Sequence, residues 1–433
     1  MVEISPFKGI TYNKDKINKL DDVMSPPYDI ISSEMQDELY KKNPYNFVRL
    51  ILGKQKPEDT DTNNRYTRAK ELYDKYINEK ILVGSDKPAI YPYKINYKVG
   101  NQSKTMNGFF VLLKLDPDYK LVKAHERTLS KPKADRFNLM RAMNANLEPI
   151  QLLYIDEADI IRKKIDEIIN DPIIDVKGYD GFSHKLWKLE DENIISMVKN
   201  SLRDRILFIA DGHHRYQTAI NYANEMKNKT GDEDENASFN YRMVILANIF
   251  DEGLSILPTH RLIKKADIDV DSLIIKLKEY FTVEEKIIDS KISSEDVSKK
   301  IMNDIKTDDT HKFGMYLKGR YYILTLKDES VMDDFAGGRS KTWRGLDVSI
   351  LHKVILEFLM DIGDKNLEDH VRYTRVDGEA VGFVDEGKFD LSFLLNATRI
   401  EELKAVADAG EHMPQKSTYF LPKMLSGLVM YKM

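Results

Sequence analysis

The chain has 433 residues, 42% of them hydrophobic and 32% charged, which can bury a sizeable core and is not the make-up of a disordered chain. At about 150 residues per domain the length suggests roughly three units, or one elaborate domain with an insert. Sixty-six Lys and Arg against 71 Asp and Glu leave a net charge of −5, which counts against a large non-specific DNA footprint, and the lack of cysteine excludes disulfides, zinc ribbons and thiolate nucleophiles.

The stretch from Met1 to Pro6 has neither the basic nor the apolar part of a signal peptide. The longest apolar runs, residues 109–113 and 244–249, fall far short of the ~20 residues that span a bilayer. A cytoplasmic protein without a membrane partner is expected. Pro26-Pro27-Tyr28-Asp29 is a stiff extended turn. Ser33 and Gln36 predict a capping box for a helix starting near Glu34 and stopping before Pro44. Residues 47–52 read as a short strand, 62–81 as a helix, and 89–99 with 104–115 as a hairpin around Gly100-Asn101. A helix follows Lys131-Pro132-Lys133, then a strand over 151–155 and a helix over 160–169. Strands are expected at 183–189, 205–210, 242–249 and 254–257, with a helix from Gly212 to about Lys227 and an acidic loop at 231–236. Residues 267–345 read helix, strand, helix, strand, strand. A helix over 347–360, a strand over 389–395 and a helix over 400–409 close the chain. This alternation points to a mixed α/β or α+β fold with a mixed sheet. The expected organisation is an N-terminal α/β region (1–120), a motif-bearing core (121–266), a small inserted α+β module (267–345) and a C-terminal region (346–433) completing the core.

The densest chemistry lies in Asp211-Gly212-His213-His214-Arg215-Tyr216, after a strand and at the start of a helix. A helix N-terminus suits phosphate, Gly212 lets a ligand approach the backbone, and Arg215 can clamp a phosphate in bidentate fashion. Asp211 can bind Mg²⁺ or act as a base. On the plainer reading Asp211 is an N-cap and the two His are solvated. Tyr216, Ala219, Ile220 and Ala223 form the helix's apolar stripe, with His214, Arg215 and Thr218 off it. A second block, Ala124-His125-Glu126-Arg127-Thr128 followed by Lys131-Pro132-Lys133-Ala134-Asp135-Arg136, offers Glu126 and Asp135 as bases or metal ligands and Lys133 and Arg136 as phosphate ligands. A solvated charged loop is the equal alternative. Leu257-Pro258-Thr259-His260-Arg261 adds pocket candidates His260 and Arg261. Met413-Pro414-Gln415-Lys416-Ser417-Thr418-Tyr419-Phe420 lacks the glycine spacing of a Walker loop, but its Lys416, Ser417 and Thr418 are further phosphate candidates. His352 and His370 read as structural.

Taken in order, these blocks with Pro26-Pro27-Tyr28-Asp29 resemble the domain-of-unknown-function family ten-fifteen, whose archaeal members carry a SpoOJ/ParB-like label. The resemblance runs over nearly the whole chain. More remotely, the strand–Asp-Gly-His-His-Arg–helix element resembles the phosphate-binding motif of the ParB/sulfiredoxin-like superfamily, which includes CTP-binding ParB proteins, sulfiredoxins and ADP-dependent free-serine kinases. That resemblance implies a ParB/sulfiredoxin-like core, nucleotide phosphates held at Asp211, His213, His214 and Arg215, and a Glu as base, for which Glu126 is the candidate. The absent cysteine removes sulfiredoxin chemistry. The strand-rich segment after the motif, with the acidic charge, counts against a DNA-partitioning role. The expectation is a phosphotransferase that uses Mg²⁺ with ATP, ADP or CTP and acts on a small hydroxyl compound such as free serine. Asp211 would hold the metal, Glu126 would take the hydroxyl proton, and Lys133, Arg136 and Lys416 would offset phosphoryl charge. The rivals are a nucleotide-operated switch without catalysis and a metal hydrolase built on His125, His213, His214 and His260.

Overall fold

A computed structural model describes residues 1–99, 102–124, 130–265, 268–289, 292–306 and 310–433, without the side chains of 130–133. It divides into two units, one of Met1–Ala124, Thr128–Ser255 and Pro422–Met433, the other of Ile256–Leu421. No helix among the described residues is long and apolar enough to cross a membrane.

The first unit is built on a nine-stranded mixed sheet. Its strands are β1 (Ile4–Ser5), β2 (Tyr91–Val99), β3 (Gln102–Lys114), β4 (Val122–Lys123), β5 (Ile150–Tyr154), β6 (Ile174–Lys177), β7 (Ser183–Leu186), β8 (Leu207–Asp211) and β9 (Tyr241–Asn248). They lie in the order β4-β8-β5-β9-β3-β2-β7-β6, with β1 also on β3. Two pairings are parallel, β8 with β4 and β9 with β5; the others are antiparallel. The central strands β5, β8 and β9 are buried on both faces, which explains their nearly unbroken apolar runs. The hairpin foreseen at 89–115 is the β2–β3 pair, in register from Tyr91 opposite Phe110 to Val99 opposite Gln102. Ile161, Ile165, Ile195, Val198 and Leu202, from helices at Ile160–Asp166 and Glu192–Leu202, pack with Leu152, Ile209 and Val244 into the main core. Helix α1 (Ser130–Met143) packs with α2 (His213–Thr230) through Met140, Ala219, Tyr222 and Ala223.

Two local readings need correction. The helix after Pro27 spans Ser33–Lys42, and its cap is Ser32, whose hydroxyl oxygen accepts the Met35 N–H; Ser33 is already inside the helix. The segment expected as a strand at 47–52 is a helical turn, Val48–Ile51. A short, wholly buried apolar run has no periodicity that separates the two. Asn46 decides it: its Oδ1 accepts the Val48 N–H at 3.0 Å, and its Nδ2 donates to the carbonyls of Asp22 and Met24 at 2.8 and 2.9 Å.

The second unit holds a six-stranded antiparallel sheet in the order Phe281–Ile287, Arg320–Leu326, Lys312–Leu317, Leu391–Leu394, His260–Ile263, Val371–Thr374. The order helix, strand, helix, strand, strand foreseen over 267–345 is present as Val270–Tyr280, Phe281–Ile287, Ser294–Ile305, Lys312–Leu317 and Arg320–Leu326. Flanking strands from residues 260–263 and 391–394 join the same sheet. The helix foreseen over 347–360 begins as an α-helix, Asp347–Ile350, and widens to the i→i+5 pattern over Leu351–Leu359.

Candidate functional site

Strand β8 carries Leu207, Phe208, Ile209 and Ala210 into the interior and delivers Asp211 at its end, where the register against β5 shifts between Ile209 and Asp211. Such a shift re-aims a side chain. Gly212 follows at φ +96°, a left-handed conformation that favours glycine, and α2 starts without a side-chain cap. A Cβ on Gly212 would lie 3.1 Å from Arg215 Nε, so the guanidinium folds back over the turn into space that only glycine leaves.

Asp211 is therefore no cap. One carboxylate oxygen accepts from Arg215 and the other from Lys423 Nζ. Burial raises the pKa of this carboxyl, but the charges of Lys423 and Arg215, with His213 adding, outweigh it and hold it well below the usual carboxylate range. Arg215 also donates to the carbonyl of Pro149. Although expected off the apolar stripe, Arg215 and Thr218 are buried, because α2 is covered by α1 as well as by the sheet. His213 is buried, and His214 is half-buried.

Glu148 ties three sequence blocks to this turn. Its Oε1 accepts the Tyr28 N–H at 3.2 Å and the Ser426 hydroxyl at 3.0 Å, and its Oε2 lies 3.4 Å from the Arg136 guanidinium. Arg136 stacks 3.8 Å over the Tyr28 ring, and its Nε donates to Asp135 at 2.8 Å. Asp135 also accepts from Arg65 and Tyr66. One cavity of about 320 Å³, part of it open to solvent, is lined by Asp211, Arg215, Lys423, Gln151, Glu148 and their neighbours. Gln151, opposite Asp211 on β5, is 2% exposed, and its side-chain nitrogen has no partner.

His125 and Glu126 lie outside the described residues, as does the side chain of Lys133. His260, Arg261, Lys416, Ser417 and Thr418 belong to the second unit. There His260 Nε2 is 2.8 Å from Asp377, and Arg261, wholly buried, reaches the carbonyls of Thr259 and Lys416 and lies 3.3 Å from His352 Nε2. Burial first, then the nearby charge of Arg261, pushes the His352 pKa well below its ordinary value. Ser417 spends its hydroxyl on the carbonyl of Pro414 at 2.6 Å. Among the described residues no three His, Asp or Glu side chains are grouped to hold a metal ion. Both oxygens of Asp211 meet cations of the chain, Arg215 and Lys423.

The sequence reading passed over Lys423, Glu148, Gln151 and Arg242. Arg242 carried a signal: it is the one charge in the apolar run of β9. Lys423 carried none, because its partner is 212 residues away.

A family model described as "Protein of unknown function (DUF1015)" matches residues 4–349. No protein of curated function matches the chain. Among solved structures, a conserved hypothetical protein from Pyrococcus furiosus is 16% identical, covering 74% of this chain and 95% of its own, at a TM-score of 0.35. A free serine kinase variant in complex with ADP is 14% identical, covering 77% and 96%, at 0.35. SbnI with a C-terminal truncation, from Staphylococcus aureus, is 12% identical, covering 73% and 85%, at 0.33. None of the three is near enough to lend a residue role.

Proposed function

We propose, for a chain that belongs to the DUF1015 family of proteins of unknown function, a nucleotide-dependent phosphotransferase with a ParB/sulfiredoxin-like core, acting on a small hydroxyl compound. The observation that carries the reading is the turn at Gly212, where Lys423 and Arg215 are buried against Asp211 beside a cavity into which Gln151 brings an open donor. Fixed donors and cations in a partly enclosed cleft suit a phosphate that gains charge as it is transferred. On this reading Gly212, His213, His214 and Arg215 hold the nucleotide phosphates, and Lys133 and Arg136 add positive charge. Asp211 positions Lys423 and Arg215; its lowered pKa makes it a weak base. Glu126 takes the proton of the acceptor hydroxyl. The hydroxyl oxygen forms the new bond to phosphorus, the bridging oxygen–phosphorus bond breaks, and the shortened nucleotide leaves with the electron pair. No step is assigned to Mg²⁺.

The test is incubation of the full chain with ATP, ADP or CTP, with and without Mg²⁺, and a panel of hydroxyl compounds that includes serine. A phosphorylated acceptor that disappears in Lys423→Ala and Glu126→Gln is the expected result. Nucleotide binding with no phosphoryl transfer to any acceptor overturns the enzyme and leaves a nucleotide-operated switch.

A further inference from the structure

Behind the Gly212 turn lies a second cavity, of about 330 Å³ of empty space partly open to solvent, whose polar lining is Arg136, Arg215, Arg242, Glu148 and Thr218. Three guanidinium groups in one cavity need counter-charge. Arg215 has Asp211, and Arg136 has Asp135 and Glu148. Arg242 donates to the carbonyl of Glu148 at 3.1 Å and feels the charge of the Glu148 carboxylate, which it shares with Arg136. It is 4% exposed, and its Nε and one terminal nitrogen are buried without a partner. The Thr218 hydroxyl, 1% exposed and lining the same space, also lacks one. Leaving a guanidinium bare in the interior costs several kcal/mol, because the lost hydration is not replaced. Burial first, then the like charge of Arg215, lowers the Arg242 pKa to about 9 against the opposing charge of Glu148.

We propose that this cavity is an oxyanion subsite, in which Arg242 and Thr218 bind a carboxylate or phosphate group of a small molecule, with Arg215 and Arg136 supplying further positive charge. The guanidinium provides charge-assisted donors and the hydroxyl a neutral one, a set that fits an oxyanion. Glu148 only partly fills the place of the anion, since one carboxylate serves both Arg136 and Arg242 while Tyr28 and Ser426 also bond to it. The subsite shares Arg136 and Arg215 with the phosphoryl-transfer reading but does not rest on it, as an acid group would bind Arg242 and Thr218 whether or not the chain moves a phosphoryl group.

Thermal midpoints of the full chain, Arg242→Met and Thr218→Val, titrated with inorganic phosphate in one arm and acetate in the other, test the proposal, with chloride at equal ionic strength as the blank. In the wild type one anion should raise the midpoint, and the arm that responds identifies phosphate or carboxylate as the ligand. Arg242→Met should weaken the apparent affinity by about ten-fold or more, and Thr218→Val by about three-fold. Arg242→Met without anion should be no less stable than the wild type, since it removes an uncompensated buried charge. If that variant fails to fold, Thr218→Val decides alone. A wild type indifferent to both anions, or either variant responding as the wild type does, overturns the subsite. Product formation plays no part in this measurement, so its failure and that of the phosphotransferase are distinguishable.

Discussion

Asp211 is the residue on which the first unit's ionic cluster turns. Its carboxylate sits between Lys423 and Arg215, and these cations hold its pKa low against the opposing effect of burial. Its contribution to stability is therefore present above the ordinary aspartate pKa of about 3.9, and is lost only as the pH falls on through the lowered folded value. Lys423→Met leaves a buried carboxylate with one cation and should cost about 3 kcal/mol in urea unfolding. In a cycle with Asp211→Asn the two substitutions should couple by about 1 kcal/mol or more; plain additivity would dismiss the pairing. Gly212→Ala places a Cβ against the Arg215 guanidinium at a strained φ and should cost about 1–2 kcal/mol. A midpoint equal to the wild type's would show that the turn relaxes freely.

Among the elements, the helical turn Val48–Ile51 shows how one polar side chain can overrule an apolar pattern. Asn46 is wholly buried and meets three backbone groups, two of them carbonyls from residues more than twenty positions earlier. Asn46→Leu keeps the volume but leaves those groups without partners. The expected loss is about 2–3 kcal/mol of stability, read from denaturant midpoints. A change below about 0.5 kcal/mol would show that water replaces the side chain. The strands β5, β8 and β9 were legible from sequence because a strand buried on both faces reads as a nearly continuous apolar run. What lies opposite them was not: the burial of Arg215 and Thr218 follows from α1 covering α2, a pairing no helical stripe announces.

For the molecule as a whole, the second unit should make stability depend on pH through His311. Its Nδ1 lies 2.7 Å from the Asp347 carboxylate. Burial alone would lower its pKa, but the hydrogen bond to Asp347 and the charges of Asp347 and Glu329 outweigh that and raise it. A raised folded pKa means a contribution that is complete below the ordinary value of about 6.5 and is lost as the pH rises through the folded value. His311→Gln should remove that slope from stability measured between neutral and mildly alkaline pH; an unchanged slope would place its origin in another group.

Most element types and the mixed sheet were determined by the sequence alone, because periodicity and glycine turns are local signals. Charge balance was not among them. That Asp211 meets Lys423, 212 positions away, and that Arg136 faces Tyr28 and Glu148 depend on separate segments meeting in a low-dielectric interior. The same holds for Arg242, an odd charge in an apolar strand when read in line. Only the packed unit makes it a buried cation beside a cavity, because the cost of burial, and so the need for a counter-ion, exists only once the chain has folded.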